Sequence, residues 1–239
     1  MNTTYDNFRT GYSSAADAMP EERASFIRKT YLHLAGAVLA FTLIEAYLIV
    51  SGAGLAIAQT MLGGRYSWLI VLGAFMGISM LAQWWANSQT SKALQYAGLG
   101  LFVVAESIIF LPLMFMAAVR SNSLEIFGQA GITTLGLFLG LTAVVFLTKK
   151  DFSFLGPILM IGGFVALGFI AAGIVFGFSL GSVFAFAMVA FAGGAILYDT
   201  SNILHKYRTD QHVAASLSLF ASVALLFWYI LRIFMGSRN

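Results

Sequence analysis

The 239-residue chain contains no cysteine and only three histidines, and charged side chains make up just 10% of it. The missing cysteines exclude disulfides and thiolate metal sites, and they leave the redox compartment open. Charge this sparse, against roughly 25% in globular proteins, excludes a solvated surface over most of the molecule. His33, His205 and His212 are dispersed and form no His-x-x-Glu-His or Glu-x-x-His pair, and no Gly-x-Ser-x-Gly elbow is present. No glycine cluster has the strand-loop-helix setting of a phosphate site. Catalysis, a cofactor and a resident metal are therefore not expected. The net charge of +3 sits at segment ends, with no basic stripe or interleaved stacking aromatics, which argues against nucleic acid. Residues 1–30 lack the apolar core and cleavage site of a signal peptide, so they are expected to stay with the chain.

What is abundant is hydrocarbon: 59% of the residues are hydrophobic. Crossing about 30 Å of bilayer takes about 20 apolar residues in a helix, whose backbone is satisfied internally. Seven stretches meet that need, roughly 31–50, 68–86, 93–119, 127–147, 154–176, 182–204 and 213–234, separated by short polar or glycine-bearing breaks and one longer loop, 51–67. The expectation is an all-α polytopic membrane protein with a polar tail, 1–30, and a seven-helix domain, 31–236. Ser216, Ser218 and Ser222 make the seventh span relatively polar, which suits the most internal helix.

Basic residues orient the bundle. With the N-terminus inside, Arg9, Arg23, Arg28, Lys29, Lys92, Lys149, Lys150, Lys206 and Arg208 are cytoplasmic, and Arg65, Arg120, Arg232 and Arg238 lie at the outer side. Nine against four favours a cytoplasmic N-terminus and an external C-terminus. Trp68 and the Trp84-Trp85 pair fall at opposite ends of the second span, at headgroup level. Gly73 and Gly77, Gly136 and Gly140, and Gly173, Gly177 and Gly181 recur at four-residue spacing, which reads as close helix packing. Pro112 falls inside the third span, where it should free the carbonyl near Ile108.

Three carboxylates fall within spans, and an ion in hydrocarbon is a functional-site hypothesis by default. Glu45 is near the outer end of the first span and within snorkelling reach of the interface. Glu106, in the middle of the third, must be protonated or bonded to another helix. Asp199 is about five residues from the inner end of the sixth, followed by Asn202, His205, Lys206 and Arg208. It either pairs with Lys206 or a neighbouring helix, or changes protonation with pH and gates helix packing.

The ordered set Thr142-Ala143-Val144-Val145-Phe146, the loop from Lys149-Lys150-Asp151 through Phe152-Ser153-Phe154-Leu155-Gly156, Tyr198-Asp199-Thr200-Ser201-Asn202, Leu217-Ser218-Leu219-Phe220 and Tyr229-Ile230-Leu231-Arg232-Ile233 resembles the transmembrane Bax inhibitor motif family. The resemblance spans the chain from Arg28 onward and implies six helices around a central seventh. In some members a pH-sensitive calcium leak depends on two aspartates sharing a proton. Asp199 matches the first, but the second falls at Ser222, a nearby family asparagine falls at Leu225, and the partnering arginine of the second span is absent. A serine cannot complete a proton-sharing pair. The loop, the run Ser201-Asn202-Ile203-Leu204-His205 and Ser222 most resemble bacterial inner-membrane proteins that modulate the AAA-type protease FtsH, engaged through the polar tail. The resemblance thus implies a non-enzymatic FtsH modulator acting through residues 1–30. The alternative is a cation leak, of calcium or protons, gated at Asp199, with Glu106, Ser222 and Asn202 as further candidates and Glu45, His205 and Arg232 as weaker ones.

Overall fold

The computed structural model describes residues 14–64, 66–89, 91–121 and 125–237, excluding the side chains of residues 120 and 121. Its helices are α1 (Pro20–Val50), α2 (Ala53–Leu62), α3 (Ser67–Ala86), α4 (Lys92–Ser121), α5 (Glu125–Thr148), α6 (Leu155–Phe176), α7 (Gly181–His205) and α8 (His212–Gly236). All except α2 are long and apolar enough to cross a membrane. The seven expected spans are present, and the chain is an all-α multi-span membrane protein. The tail residues 1–13, with Arg9, lie outside the described residues, as do Arg65 and Arg238 of the charge tally.

Two boundaries differ from expectation. The first helix begins at Pro20, ahead of the apolar stretch expected from about residue 31. Pro20 at the first helical position and Glu21 and Glu22 in the first turn suit a helix N-terminus. The buried stripe of Phe26, Thr30, Leu34, Ala37, Phe41 and Glu45 runs unbroken at three- and four-residue spacing from the charged part into the apolar part. High mean polarity concealed that stripe. The second difference is α2, an apolar helix inside the expected loop 51–67. Gly52 admits it by adopting φ 76°, a left-handed conformation that favours glycine.

Burial shows which helices are central. In both α4 and α8, 67% of the apolar stretch is buried, against 28% or less in every other span. α8 packs on α1, α3, α4, α5 and α7, so the expected central seventh span is observed, although it shares the centre with α4. α6 packs mainly on α7 and lies outermost. The centre is aromatic: Phe110 of α4 meets Phe41 of α1 at 5.1 Å and Trp228 of α8 at 4.8 Å, both edge to face. Trp68, in the first turn of α3, stacks on Trp228 at 6.3 Å and is half-buried.

The glycine spacings did not mark helix contacts. Gly73, Gly77, Gly136 and Gly140 have open space where a Cβ would stand. Gly177 and Gly181, at φ 78° and 62°, turn the chain between α6 and α7. The close approach is at Gly98, where a Cβ would lie 2.5 Å from the Ala82 carbonyl oxygen, so α3 and α4 touch backbone to backbone. Four-residue spacing identifies a helix face but not whether lipid or protein covers it.

Candidate functional site

The α7–α8 junction brings the strongest sequence candidates together. Ser222 of α8 donates its hydroxyl hydrogen to Asp199 Oδ2 of α7 at 2.5 Å. Asp199 is half-buried and Ser222 is buried. Pairing with Lys206 is not observed: that ammonium lies 5.9 Å over the Tyr198 ring. One turn before Ser222, Ser218 is hydrogen-bonded to the Tyr207 hydroxyl at 3.1 Å. Burial pushes the Tyr207 phenol up to about 12; the bond to Ser218 works against that shift and the nearby Asp199 charge adds to it. A four-residue serine spacing on α8 therefore meets two polar groups of the α7 end, Asp199 and Tyr207.

A loop from the neighbouring helices closes on the same stretch. Asp151 organises its own turn, accepting the Ser153 N–H at 2.8 Å and the Ser153 hydroxyl at 3.0 Å. Ser201 of α7 donates to Asp151 Oδ1 at 3.2 Å and accepts the Phe152 N–H at 2.9 Å, which ties the α5–α6 loop to α7. The Ser153 N–H and hydroxyl hold the Asp151 carboxyl below its ordinary value, assisted by Ser201 and His205. His205 Nδ1–H donates to the Ser201 carbonyl at 2.9 Å. Gly156 lets the start of α6 lie against Tyr198, whose ring a Cβ would approach to 3.0 Å. The N-terminal segment completes the junction: Ala15 N–H donates to the Tyr207 carbonyl at 2.7 Å, and Ser14 forms an antiparallel bridge with Arg208.

The remaining candidates are dispersed. Asn202 is buried beside this cluster; its carbonyl accepts the Lys206 and Tyr207 N–H groups at 2.8 and 2.9 Å, and its side-chain Oδ1 has no partner. Glu106 is buried in α4 with Oε2 unpartnered. Glu45 does not snorkel to the interface as its position allows: it is 4% exposed, and neither carboxylate oxygen has a partner. Helix rotation, which sequence position does not reveal, turns it inward. Arg232 is half-buried near the far end of α8, ten residues and about 15 Å from Ser222 at 1.5 Å per residue.

Sequence reasoning missed three connections. Asp151 and Ser201 meet across 50 positions, Tyr207 reaches Ser218, and Tyr96 of α4 lies 3.2 Å from His33 of α1 and 3.5 Å from His212 of α8. Only the Asp-x-Ser turn of Asp151 carried a local signal. Chemically, the junction offers two carboxylates, Asp199 and Asp151, several hydroxyls, and one hydroxyl–imidazole contact, Ser201 Oγ to His205 Nδ1 at 3.5 Å. Among the described residues no three His, Asp or Glu side chains group as metal ligands. The arrangement can pin helices together and hold or release one proton.

Residues 23–239 match the model of the family described as inhibitor of apoptosis-promoting Bax1. Bax inhibitor 1 of Schizosaccharomyces pombe is 29% identical, over 100% of this chain and 86% of the relative. An uncharacterized protein of Pseudomonas aeruginosa is 30% identical over 92% of this chain and 93% of its own length. Protein lifeguard 4 of Mus musculus is 28% identical over 95% and 91%.

Proposed function

The chain belongs to the family of the inhibitor of apoptosis-promoting Bax1, and from that premise we propose that it is a non-enzymatic modulator of membrane-protein quality control. It sits in a bacterial inner membrane with its N-terminus cytoplasmic and binds the protease FtsH. The observation that carries this reading over a leak is the Asp199–Ser222 bond. A proton-sharing sensor needs two acids in contact, each disfavouring the charge of the other. Here the partner of the acid is a hydroxyl, which carries no charge to share a proton against and joins α7 to α8. The docking of Ala15 on the Tyr207 carbonyl supports a role for the segment before it, because a partner holding residues 1–13 would act on the chain next to this junction.

The test is co-purification of FtsH with the full chain and with a chain lacking residues 2–13. Deleting further would remove Ala15, which is buried and bonded to Tyr207, and then Phe26, which is buried in the core. Association lost on the short deletion supports the reading, whereas no association, or association indifferent to the deletion, overturns it. The half-buried state of Asp199 favours one alternative, a pH-sensitive cation leak. Ion flux in liposomes that varies with pH and disappears in Asp199→Asn would establish it, and flux indifferent to both would discard it.

A further inference from the structure

Between α1 and α5 a crevice of about 950 Å³ opens, floored by α8. Its size is at the upper end of the roughly 300–1,000 Å³ typical of sites for drug-sized ligands. Its lips, Leu39 at 60% exposed and Leu135 at 55%, belong to spans and face the hydrocarbon. The walls are apolar except for a few hydroxyls and one carboxylate, Glu45. Both oxygens of Glu45 are buried without a hydrogen-bond partner.

Nothing else lining the crevice can satisfy that group. The Thr42 hydroxyl donates to the Val38 carbonyl at 2.8 Å and the Thr134 hydroxyl to the Ala130 carbonyl at 2.7 Å, each within its own helix. The Tyr31 hydroxyl faces Thr142 and Thr200, and it stands fourteen residues from Glu45 on α1, about 21 Å at 1.5 Å per residue. Among the described residues no lysine, arginine or histidine lines the crevice. A carboxyl group with no donor in an apolar wall costs several kcal/mol unless a partner reaches it. No described residue supplies that partner, which leaves the role to a molecule from outside that arrives through hydrocarbon.

We propose that the crevice binds an aminophospholipid, with one acyl chain along the apolar walls toward Tyr31 and the primary ammonium donating to Glu45. The geometry supports this occupant in three ways. Glu45 is five residues before the end of α1 at Val50, about 8 Å along the axis, within reach of a headgroup that dips below the interface. The distance from Glu45 to Tyr31 gives an extended chain room to lie along α1. A carboxylate in an apolar wall selects a cation with hydrogen-bond donors over a headgroup bearing only hydroxyls and a net negative charge.

The test uses full-length protein in detergent, equilibrated with equal amounts of phosphatidylethanolamine and phosphatidylglycerol of the same acyl chains, with retained lipid counted by native mass spectrometry. The expected result is retention of the ethanolamine lipid over the glycerol lipid by about tenfold, the ratio that one charge-assisted hydrogen bond supports. Glu45→Gln should bring that ratio close to one, and Glu106→Gln should leave it unchanged. Gly131→Leu places bulk in the crevice at a position with no atom within 4 Å of its Cβ, so it should fold and retain less of both lipids. Equal retention in the unaltered chain, or a preference that survives Glu45→Gln, overturns the proposal. So does a lipid-free dimer that Gly131→Leu dissociates, since the crevice would then be a contact between copies.

Discussion

Asp199 and Glu45 are carboxylates in the same bundle, and their surroundings differ in kind. At the α7–α8 junction the acid accepts a serine hydroxyl, the next serine on that face meets a tyrosine, and a neighbouring loop is fastened through Asp151 and Ser201. In the α1–α5 crevice the acid has no donor among the described residues. A buried polar group costs little when satisfied and several kcal/mol when it is not. The first region therefore reads as a fastening that the chain completes by itself. The second is a vacancy in its hydrogen bonding that an outside molecule would fill.

The largest effect expected from breaking this contrast is at the fastening. Ser222→Ala leaves Asp199 without its donor and should lower stability by about 1–3 kcal/mol, read as a fall in the melting temperature of the purified protein. At Glu45 the sign should reverse. In lipid-free detergent Glu45→Leu removes an unsatisfied carboxyl and should raise stability by about 1–2 kcal/mol; a loss would show that Glu45 already has a partner. If both substitutions destabilise equally, the two regions are not different in kind.

Smaller effects sharpen the junction. Tyr207→Phe removes the bond to Ser218 and should cost about 1 kcal/mol. The unaltered phenol stays neutral in the folded protein up to about 12, above its ordinary value near 10. Between those values the unfolded chain loses the proton first, so stability should fall as pH rises through this window, by less in Tyr207→Phe. Asp151 works in the opposite direction. Its carboxyl is held below the ordinary value, so its contribution is complete above roughly pH 4 and is lost as pH falls through the depressed value. Because the group is exposed, the readout is local: proteolysis at the α5–α6 loop should quicken in acid for the unaltered chain and already be fast at neutral pH in Asp151→Asn.

The spans were legible because about 20 apolar residues in a row have few other uses, and the serines of α8 announced an internal helix. The start of α1 was not legible, because charged residues Glu21 to Lys29 raise the local polarity while Phe26 and Thr30 carry the buried stripe among them. The α2 helix was hidden in a stretch too short to span and flanked by glycine. Ser222 could be matched to Asp199 only through the family register, since 23 positions separate them. The link from Asp151 to Ser201 crosses 50 positions and had no sequence signal beyond the turn at Asp151.

Composition and periodicity alone determined that this chain crosses a membrane seven times, since hydrocarbon admits only segments that satisfy their own backbone. They also determined that α8 would be internal and that Asp199 would need a partner. Which partner it has, and that Glu45 has none, were decided only by the tertiary structure. Hydropathy measures how much of a helix avoids water, whereas hydrogen bonding depends on the rotation of each helix against its neighbours. That rotation placed Asp199 against Ser222 and turned Glu45 into a crevice whose walls offer it no donor.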